Sequence, residues 1–254
     1  MKLAIVALAA GKGTRMESDL PKVLHPLRGR PLLAWVLTAS RKLRPDRLIA
    51  VVGHRADLVK SEIGPDFPEV EFVLQSQMLG TGHAVLQARE LLRDFEGDIV
   101  VTCGDAPLLT AQTLQLLVDK RRETGASASM LVGRIAKPGS YGRVLCRADD
   151  SVEEIVEAKD ATPEILALHT VNAGTYCFNA KDLWGQLALV GNNNKSGEYY
   201  LTDVVGLLTH AGGLVTGIFI SEREMTGVNT KAELAALEEE FAAEETAAAE
   251  VSAS

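Results

Sequence analysis

The sequence predicts an α/β protein: a mainly parallel, Rossmann-like sheet with helices on both faces and a small antiparallel β-rich insertion. Three observations predict it. Short, fully apolar runs alternate with segments of helical spacing through the first half of the chain, the pattern of strands buried on both faces beneath crossover helices. Glycines and polar residues follow those runs, as the carboxyl edge of such a sheet requires when it binds a ligand. From about residue 137 the alternation stops, and short runs that pair as hairpins replace it.

Taken in order, the predicted parallel strands are Leu3–Leu8, Leu48–Val52, Phe72–Leu74, Ile99–Val101 and Ser129–Val132. Each is a brief, mainly apolar run. Between them, Leu32–Leu43, Ala56–Ile63, Ala84–Leu92 and Leu114–Arg122 return apolar residues at helical spacing. Tyr141-Gly142-Arg143-Val144 and Val152–Glu157 read as a hairpin, and Val171–Phe178 as another strand of an antiparallel insertion or lid. Helical spacing resumes over Glu198–His210, followed by a strand at Leu214–Ile220 and a C-terminal helix from Thr230. The expected organisation is one domain over residues 1–237, with a β-rich subregion near 137–180, and an Ala/Glu-rich helix end or tail over 238–254.

The net charge of −8 is concentrated at the C-terminus. From Glu233 onward there are seven acidic residues and no basic one, and without them the chain carries 27 acidic against 26 basic residues. Nothing in that balance suggests a nucleic-acid-binding face. No run of 18 or more apolar residues occurs, so no membrane span is expected. Met1-Lys2 leads straight into the first strand without a signal-peptide pattern. Cys103, Cys146 and Cys177 are widely spaced and odd in number, which fits reduced thiols and a cytoplasmic setting.

Chemistry gathers first at Leu8-Ala9-Ala10-Gly11-Lys12-Gly13-Thr14-Arg15-Met16, with Pro21-Lys22 just beyond. A glycine-containing loop after a strand can turn its backbone N–H groups toward an anion. Lys12, Arg15 and Lys22 add three cations, a combination that suits the polyphosphate of a nucleotide. It is not a P-loop, because Gly11-Lys12 is followed by Gly13 rather than Ser or Thr. Nor is it a dinucleotide fingerprint, because Met16 occupies the third glycine position. A plain turn after a core strand is the alternative, and Arg15 with Pro21-Lys22 weighs against it.

Asp105 follows the fourth parallel strand across Thr102-Cys103-Gly104. A carboxylate at that edge, opposite a phosphate loop, suits Mg²⁺, while a helix N-cap or a turn Asp before Pro107 is the alternative. Asn229, just before the last helix, reads from spacing alone as an N-cap. No Ser–His–Asp order, Cys–His pairing or metal-ligand histidine pair stands out. Nucleotidyl transfer needs none of them. Its nucleophile is an already anionic phosphate with a second pKa near ~6, and positioning with charge neutralisation supplies most of the rate.

The same residues resemble the signature of sugar-1-phosphate nucleotidyltransferases, and more narrowly that of N-acetylglucosamine-1-phosphate uridyltransferases. Supporting segments are Leu79-Gly80-Thr81-Gly82-His83-Ala84, Gly104-Asp105-Ala106-Pro107-Leu108, Tyr141-Gly142-Arg143, Ile155–Thr162, Asn192–Asp203 and Gly227-Val228-Asn229. The resemblance runs from residue 3 to about 237. It implies that the Leu8, Ala9, Ala10 and Gly11 backbone, with Gly13 and Thr14 of the same loop and Gln75, Gly80 and Thr81, holds the nucleotide. It implies catalytic roles for Arg15 and Lys22, which would neutralise the triphosphate, and Mg²⁺ bound by Asp105 and Asn229 in place of a cap-only role for Asn229. Gly142, Glu157 and Asn172 would hold the sugar. From its neighbours alone, Glu157 reads as a solvated carboxylate beside Glu153 and Glu154. The implied reaction is UTP + N-acetylglucosamine 1-phosphate → UDP-N-acetylglucosamine + pyrophosphate.

Three positions depart from the family pattern: Met78 for a usual glutamine, Cys103 for a common tyrosine and Ala173 for a common threonine. They keep open a related transferase that uses glucose 1-phosphate, dTTP or CTP. A catalytically silent sugar-nucleotide sensor is a further rival, but it should have lost some of Arg15, Lys22, Asp105 and Asn229. The β-helix acetyltransferase half of bifunctional family members has no counterpart here, so neither acetyl transfer nor acetyl-CoA binding is expected.

Overall fold

The computed structural model describes residues 1–253, with side chains to residue 243. Its strands, in chain order, are β1 (Lys2–Ala9), β2 (Pro26–Leu27), β3 (Arg30–Pro31), β4 (Arg47–Val52), β5 (Val70–Leu74) and β6 (Gly97–Cys103). There follow β7 (Ala128–Arg134), β8 (Arg143–Cys146), β9 (Val152–Val156), β10 (Thr170–Asn179) and β11 (Val215–Ile220). The helices are α1 (Leu32–Arg41), α2 (Ala56–Ile63), α3 (Thr81–Gln87), α4 (Ala111–Thr124), α5 (Pro163–Leu166), α6 (Ala180–Leu187), α7 (Asp203–His210), α8 (Glu222–Met225) and α9 (Lys231–Ala253).

The main sheet has the order β11-β7-β10-β6-β1-β4-β5, with β8 and β9 branching from the start of β10. The central stretches of β1, β4 and β6 are apolar because both faces are covered. Along β1, Ala4 and Val6 point into one core with Ile49, Val51, Ile99 and Val101. The alternate residues Leu3, Ile5, Ala7 and Ala9 point into a second core with Leu48, Ala50, Val52 and Val100. Helices α3, α6 and α7 close the first core, and α1, α2 and α4 close the second. A period of two on a two-sided sheet therefore yields an unbroken hydrophobic run.

The mainly parallel sheet agrees with the sequence, and several details differ from it. Strand β10 is not part of a detached insertion: it runs antiparallel between β6 and β7 in the middle of the sheet. The β8–β9 hairpin branches off the main sheet order, and β2 and β3 pair as a separate two-stranded sheet. Residues 198–202 are not helical; α7 starts at Asp203, because the preceding backbone bonds to the Leu79–Thr81 segment instead. Helix α3 ends at Gln87 and gives way to turns. Residue 237, the expected domain end, lies within α9, as an expected helix end over 238–254 allows, and Ser254 lies outside the described residues. No helix among the described residues is long and apolar enough to cross a membrane.

Candidate active site

Strand register brings the site together. Leu8 pairs with Cys103 across β1 and β6, while Ala9 pairs with Val52 across β1 and β4. The loops leaving the carboxyl ends of β1 and β6 are consequently adjacent, and Gly104 donates its N–H to Leu8 O at 2.9 Å. The N–H groups of Gly11, Lys12, Gly13 and Thr14 meet no acceptor among the described residues. Successive free N–H groups of this kind form an anion-binding concavity. Gly13 has φ +61°, and a Cβ there would lie 2.5 Å from Lys22 Cβ, so its lack of a side chain lets Lys22 close over the loop. Met16 is fully buried with Leu27, Leu32, Val228 and Leu237, which anchors the loop to the start of α9.

Lys22 Nζ donates to Asp105 Oδ2 and, at 3.0 Å, to Asn229 Oδ1. Arg15 Nη2 donates to the same Asn229 Oδ1, also at 3.0 Å. Four residues distant in sequence thus converge on one point. Neither Asp105 nor Asn229 is a helix cap. Thr110 caps α4 by accepting from Thr113 N at 3.1 Å. Thr230 accepts from Glu233 N at 3.1 Å while Glu233 accepts from Thr230 N at 2.9 Å, a reciprocal capping box. The cap reading of Asn229 from spacing is therefore one residue off. Asp105 O accepts from Val228 N at 2.9 Å, which ties the two carriers together.

Two adjoining cavities flank Asp105. One, of about 470 Å³, is lined by Leu8 through Lys12, Lys22, Gln75, Met78, Gly80 and Thr81. The other, of about 250 Å³, is lined by Tyr141, Gly142, Glu157, Asn172, Ala173 and Asn229 among others. Leu8, Thr81, Cys103 and Asp105 line both. The expected nucleotide residues other than Gly13 and Thr14 thus line one chamber, and the expected sugar residues line its neighbour. Arg15, Gly13 and Thr14 line neither, although Arg15 reaches Asn229.

In the first chamber, Gly80 has φ +110°, and a Cβ there would lie 2.6 Å from Tyr199 O. Only glycine lets the 198–201 segment lie against this turn. Tyr199 N donates to Leu79 O at 2.7 Å, Gly82 N to Tyr199 O at 2.8 Å and Leu201 N to Thr81 Oγ1 at 3.0 Å. The Asn-rich stretch before it is held by Asn194, whose Oδ1 accepts from Ser196 N and Glu198 N, each at 3.2 Å.

In the second chamber, Glu157 accepts from Thr202 Oγ1 at 3.0 Å, and burial pushes its carboxyl above the ordinary value of 4.5. It lies one residue past β9 and faces the cavity, so the solvated-carboxylate reading from its neighbours does not hold. A Cβ on Gly142 would lie 3.5 Å from either Glu157 carboxylate oxygen, which places Gly142 beside Glu157. Asn172 donates its N–H to Gly142 O and accepts from Gly174 N at Oδ1, both at 2.9 Å. Burial pushes the Cys103 thiol up to about 12, so this cysteine lines the site as a neutral group. Sequence reading assigned no role to Thr202 or to Tyr141; Thr202 carried a signal, since it directly precedes an amphipathic helix at the cavity rim.

Asp105 Oδ2 and Asn229 Oδ1 already share one cation, the Lys22 ammonium. A carboxylate and an amide oxygen are hard donors of the kind Mg²⁺ accepts alongside substrate phosphates. The donor set therefore fits the ion.

Compared with known proteins, residues 5–170 match the MobA-like NTP transferase domain. The chain is 44% identical over 234 residues to the bifunctional protein GlmU of Geobacter metallireducens, covering 92% of this chain and 49% of that protein. It is 45% identical over 243 residues to GlmU of a Ruegeria species, covering 96% and 54%. The chain spans about half the length of the curated relatives it matches. In fold it is similar to UDP-glucose pyrophosphorylase crystallised with UDP-glucose, with TM-score 0.76 at 15% identity over 96% of this chain and all of that one. A putative glucose-1-phosphate thymidylyltransferase from Bacillus anthracis aligns with TM-score 0.75 at 17% identity, over 93% and 94%.

Proposed function

Because this chain belongs to the MobA-like NTP transferase domain family, we propose that it transfers the uridylyl group of UTP to N-acetylglucosamine 1-phosphate. The products are UDP-N-acetylglucosamine and pyrophosphate, and Mg²⁺ is the cofactor. One observation carries the proposal: Arg15, Lys22, Asp105 and Asn229 converge at the junction of the two chambers. A phosphate loop borders one chamber and the half-buried Glu157 faces the other.

In this reading the triphosphate lies along the free N–H groups of Gly11–Thr14, with the base against Gln75 and Gly80. The sugar phosphate enters from the Gly142, Glu157 and Asn172 side. Its phosphate oxygen attacks the α-phosphorus, a P–O bond forms, and the bond to the β-phosphate breaks as pyrophosphate leaves. Lys22 and Arg15 neutralise the charge that spreads over the phosphoryl oxygens, at the position where fixed cations act most strongly. Asp105 and Asn229 would hold Mg²⁺, which would supply Lewis-acid charge neutralisation. The Glu157 carboxylate accepts from a sugar hydroxyl, and Thr202 fixes its orientation. No general base is required, because the nucleophile is ionised at neutral pH.

Met78 and Cys103 in the nucleotide chamber favour a second reading, in which glucose 1-phosphate, dTTP or CTP is the better substrate. Pyrophosphate release with Mg²⁺, pairing UTP, dTTP and CTP each with the two sugar phosphates, separates the readings. Preference for UTP with N-acetylglucosamine 1-phosphate is expected. Preference for another pair moves the substrate and keeps the transfer, whereas no turnover with any pair overturns the proposal.

A further inference from the structure

Gln75 is almost fully buried at the end of β5, and Val52 O accepts its backbone N–H at 2.7 Å. Its side-chain Nε2 lies 3.1 Å from Gly80 O and 3.0 Å from His83 Nδ1. On the far side of the ring, Gln87 Nε2 lies 3.2 Å from His83 Nε2 and donates to His83 O at 3.0 Å. A neutral imidazole has one lone-pair nitrogen, so the two glutamines cannot both donate to it. Gly80 resolves the competition. Its carbonyl can only accept, which fixes the amide nitrogen of Gln75 on that side and points the second N–H at His83 Nδ1. Gln87 retains His83 O as its acceptor. The only hydrogen-bonding atom of the Gln75 side chain left over is Oε1, which accepts from no group among the described residues, and Gln75 lines the nucleotide chamber.

We propose that His83 is a positioning residue for base selection: with Gly80 it holds the Gln75 amide so that the chamber presents an acceptor to the base. The inference rests on the uridylyl-transfer reading of this chamber. A pyrimidine whose N3 carries a hydrogen, such as uracil, donates to that oxygen. One whose N3 is a bare lone pair, such as cytosine, is repelled by it. Without Nδ1 the amide keeps only the Gly80 bond, swings more freely, and no longer rejects cytosine.

The test uses the full chain with UTP and CTP, each with N-acetylglucosamine 1-phosphate. His83→Phe keeps a ring and removes the acceptor, with His83→Leu as the second variant where the phenyl group does not fit. Either variant should raise the KM for UTP about tenfold, the equivalent of one lost positioning hydrogen bond, with kcat altered less than about twofold. The UTP-to-CTP ratio of kcat/KM should fall by a similar factor. His83→Asn, whose side-chain oxygen takes the place of Nδ1, should restore most of both. In a Gln75→Ala background, the His83 substitution should add no further change, because coupled residues are not additive. Unchanged KM and ratio in His83→Phe and His83→Leu overturn the inference, as does a full effect that persists with Gln75→Ala. If the wild type prefers UTP and the His83 variants match it, this inference alone falls. If the wild type neither turns over nor binds UTP or CTP in calorimetry, the uridylyl-transfer reading falls and takes this inference with it.

Discussion

Asn229 Oδ1 accepts from both Arg15 and Lys22, so two cations and a hard oxygen are fixed before any substrate arrives. For the proposed uridylyl transfer such preorganisation sets a transition-state cost on each deletion: Arg15→Ala and Lys22→Ala should each lower kcat by about 10²–10³. Steady-state pyrophosphate release measures this, and near wild-type turnover in either variant removes that residue from the catalytic role. Glu157 raises a different question of charge. Burial lifts its carboxyl above the ordinary 4.5, helped by Asp203, Asp160 and Glu198 and opposed by the Thr202 hydroxyl. The folded chain therefore binds this proton more tightly than the unfolded chain does. The associated stability is intact below about pH 4.5 and is lost as pH rises through the folded-state value. Glu157→Gln escapes that loss, so it should melt above the wild type at pH 8, with the gap closing toward pH 4.5. Its KM for N-acetylglucosamine 1-phosphate should rise about tenfold or more, as for loss of a charged acceptor. A gap that does not change with pH counts against titration of Glu157 as its source.

At the scale of elements, the 198–201 segment acts as a strap across the turn that opens α3. Its contacts are mostly backbone to backbone, through Leu79, Tyr199 and Gly82, and at Gly80 the two segments leave no room for a side chain. A Cβ at residue 80 would overlap Tyr199 O and Tyr199 N, at 2.6 and 2.8 Å, on a residue already at positive φ. Gly80→Ala should therefore push the strap away at a stability cost of about 1–3 kcal/mol. It should also raise the KM for UTP, because Gln75 bonds to the Gly80 carbonyl. Thermal melts and a UTP titration check both, and an unchanged melting temperature would show that the strap yields without cost. This strap was partly legible in the sequence. The Asn192–Asp203 stretch stands out as a motif, but helical spacing in Val204–Leu208 runs on in the sequence to Glu198, where the backbone is not helical. Short elements were harder to see. The single turns α5 and α8 hold too few residues for a period to register, and α6 was missed although Asn179 caps it and Leu183 and Leu187 recur on its buried side.

For the molecule as a whole, local patterns identified strands while pairings between distant segments decided their order. β1, β4 and β6 are readable because each carries an apolar run that faces both cores. The central place of β10 is not, because its pairing with Val100 and Ser129 leaves no local trace. The same holds for the site. The loop at Gly11–Arg15 announced itself, whereas the meeting of Lys22 with Asp105 and Asn229 spans most of the chain. Sheet direction also separates the candidate site from a stabilising ion cluster. Asp105 emerges past the carboxyl end of β6, and fully buried Asp98 sits at the other end, roughly 20 Å away at ~3.3 Å per residue. Arg122 Nε donates to Asp98 Oδ2 at 2.6 Å. Arg121 Nε, nearly buried, lies 2.5 Å from Asp98 Oδ1 as an ion pair whose N–H is not aligned on the oxygen. Removing the carboxylate leaves two cations without their shared counter-ion, one of them in the interior, which costs about 3–5 kcal/mol. Asp98→Asn should accordingly lower the melting temperature by on the order of 10 °C. At a temperature where it stays folded, its KM for UTP and its kcat should remain within about twofold of wild type, because no side chain of the two chambers depends on it. Should UTP affinity fall together with stability, the two ends of β6 are coupled, and the division of labour along the strand fails.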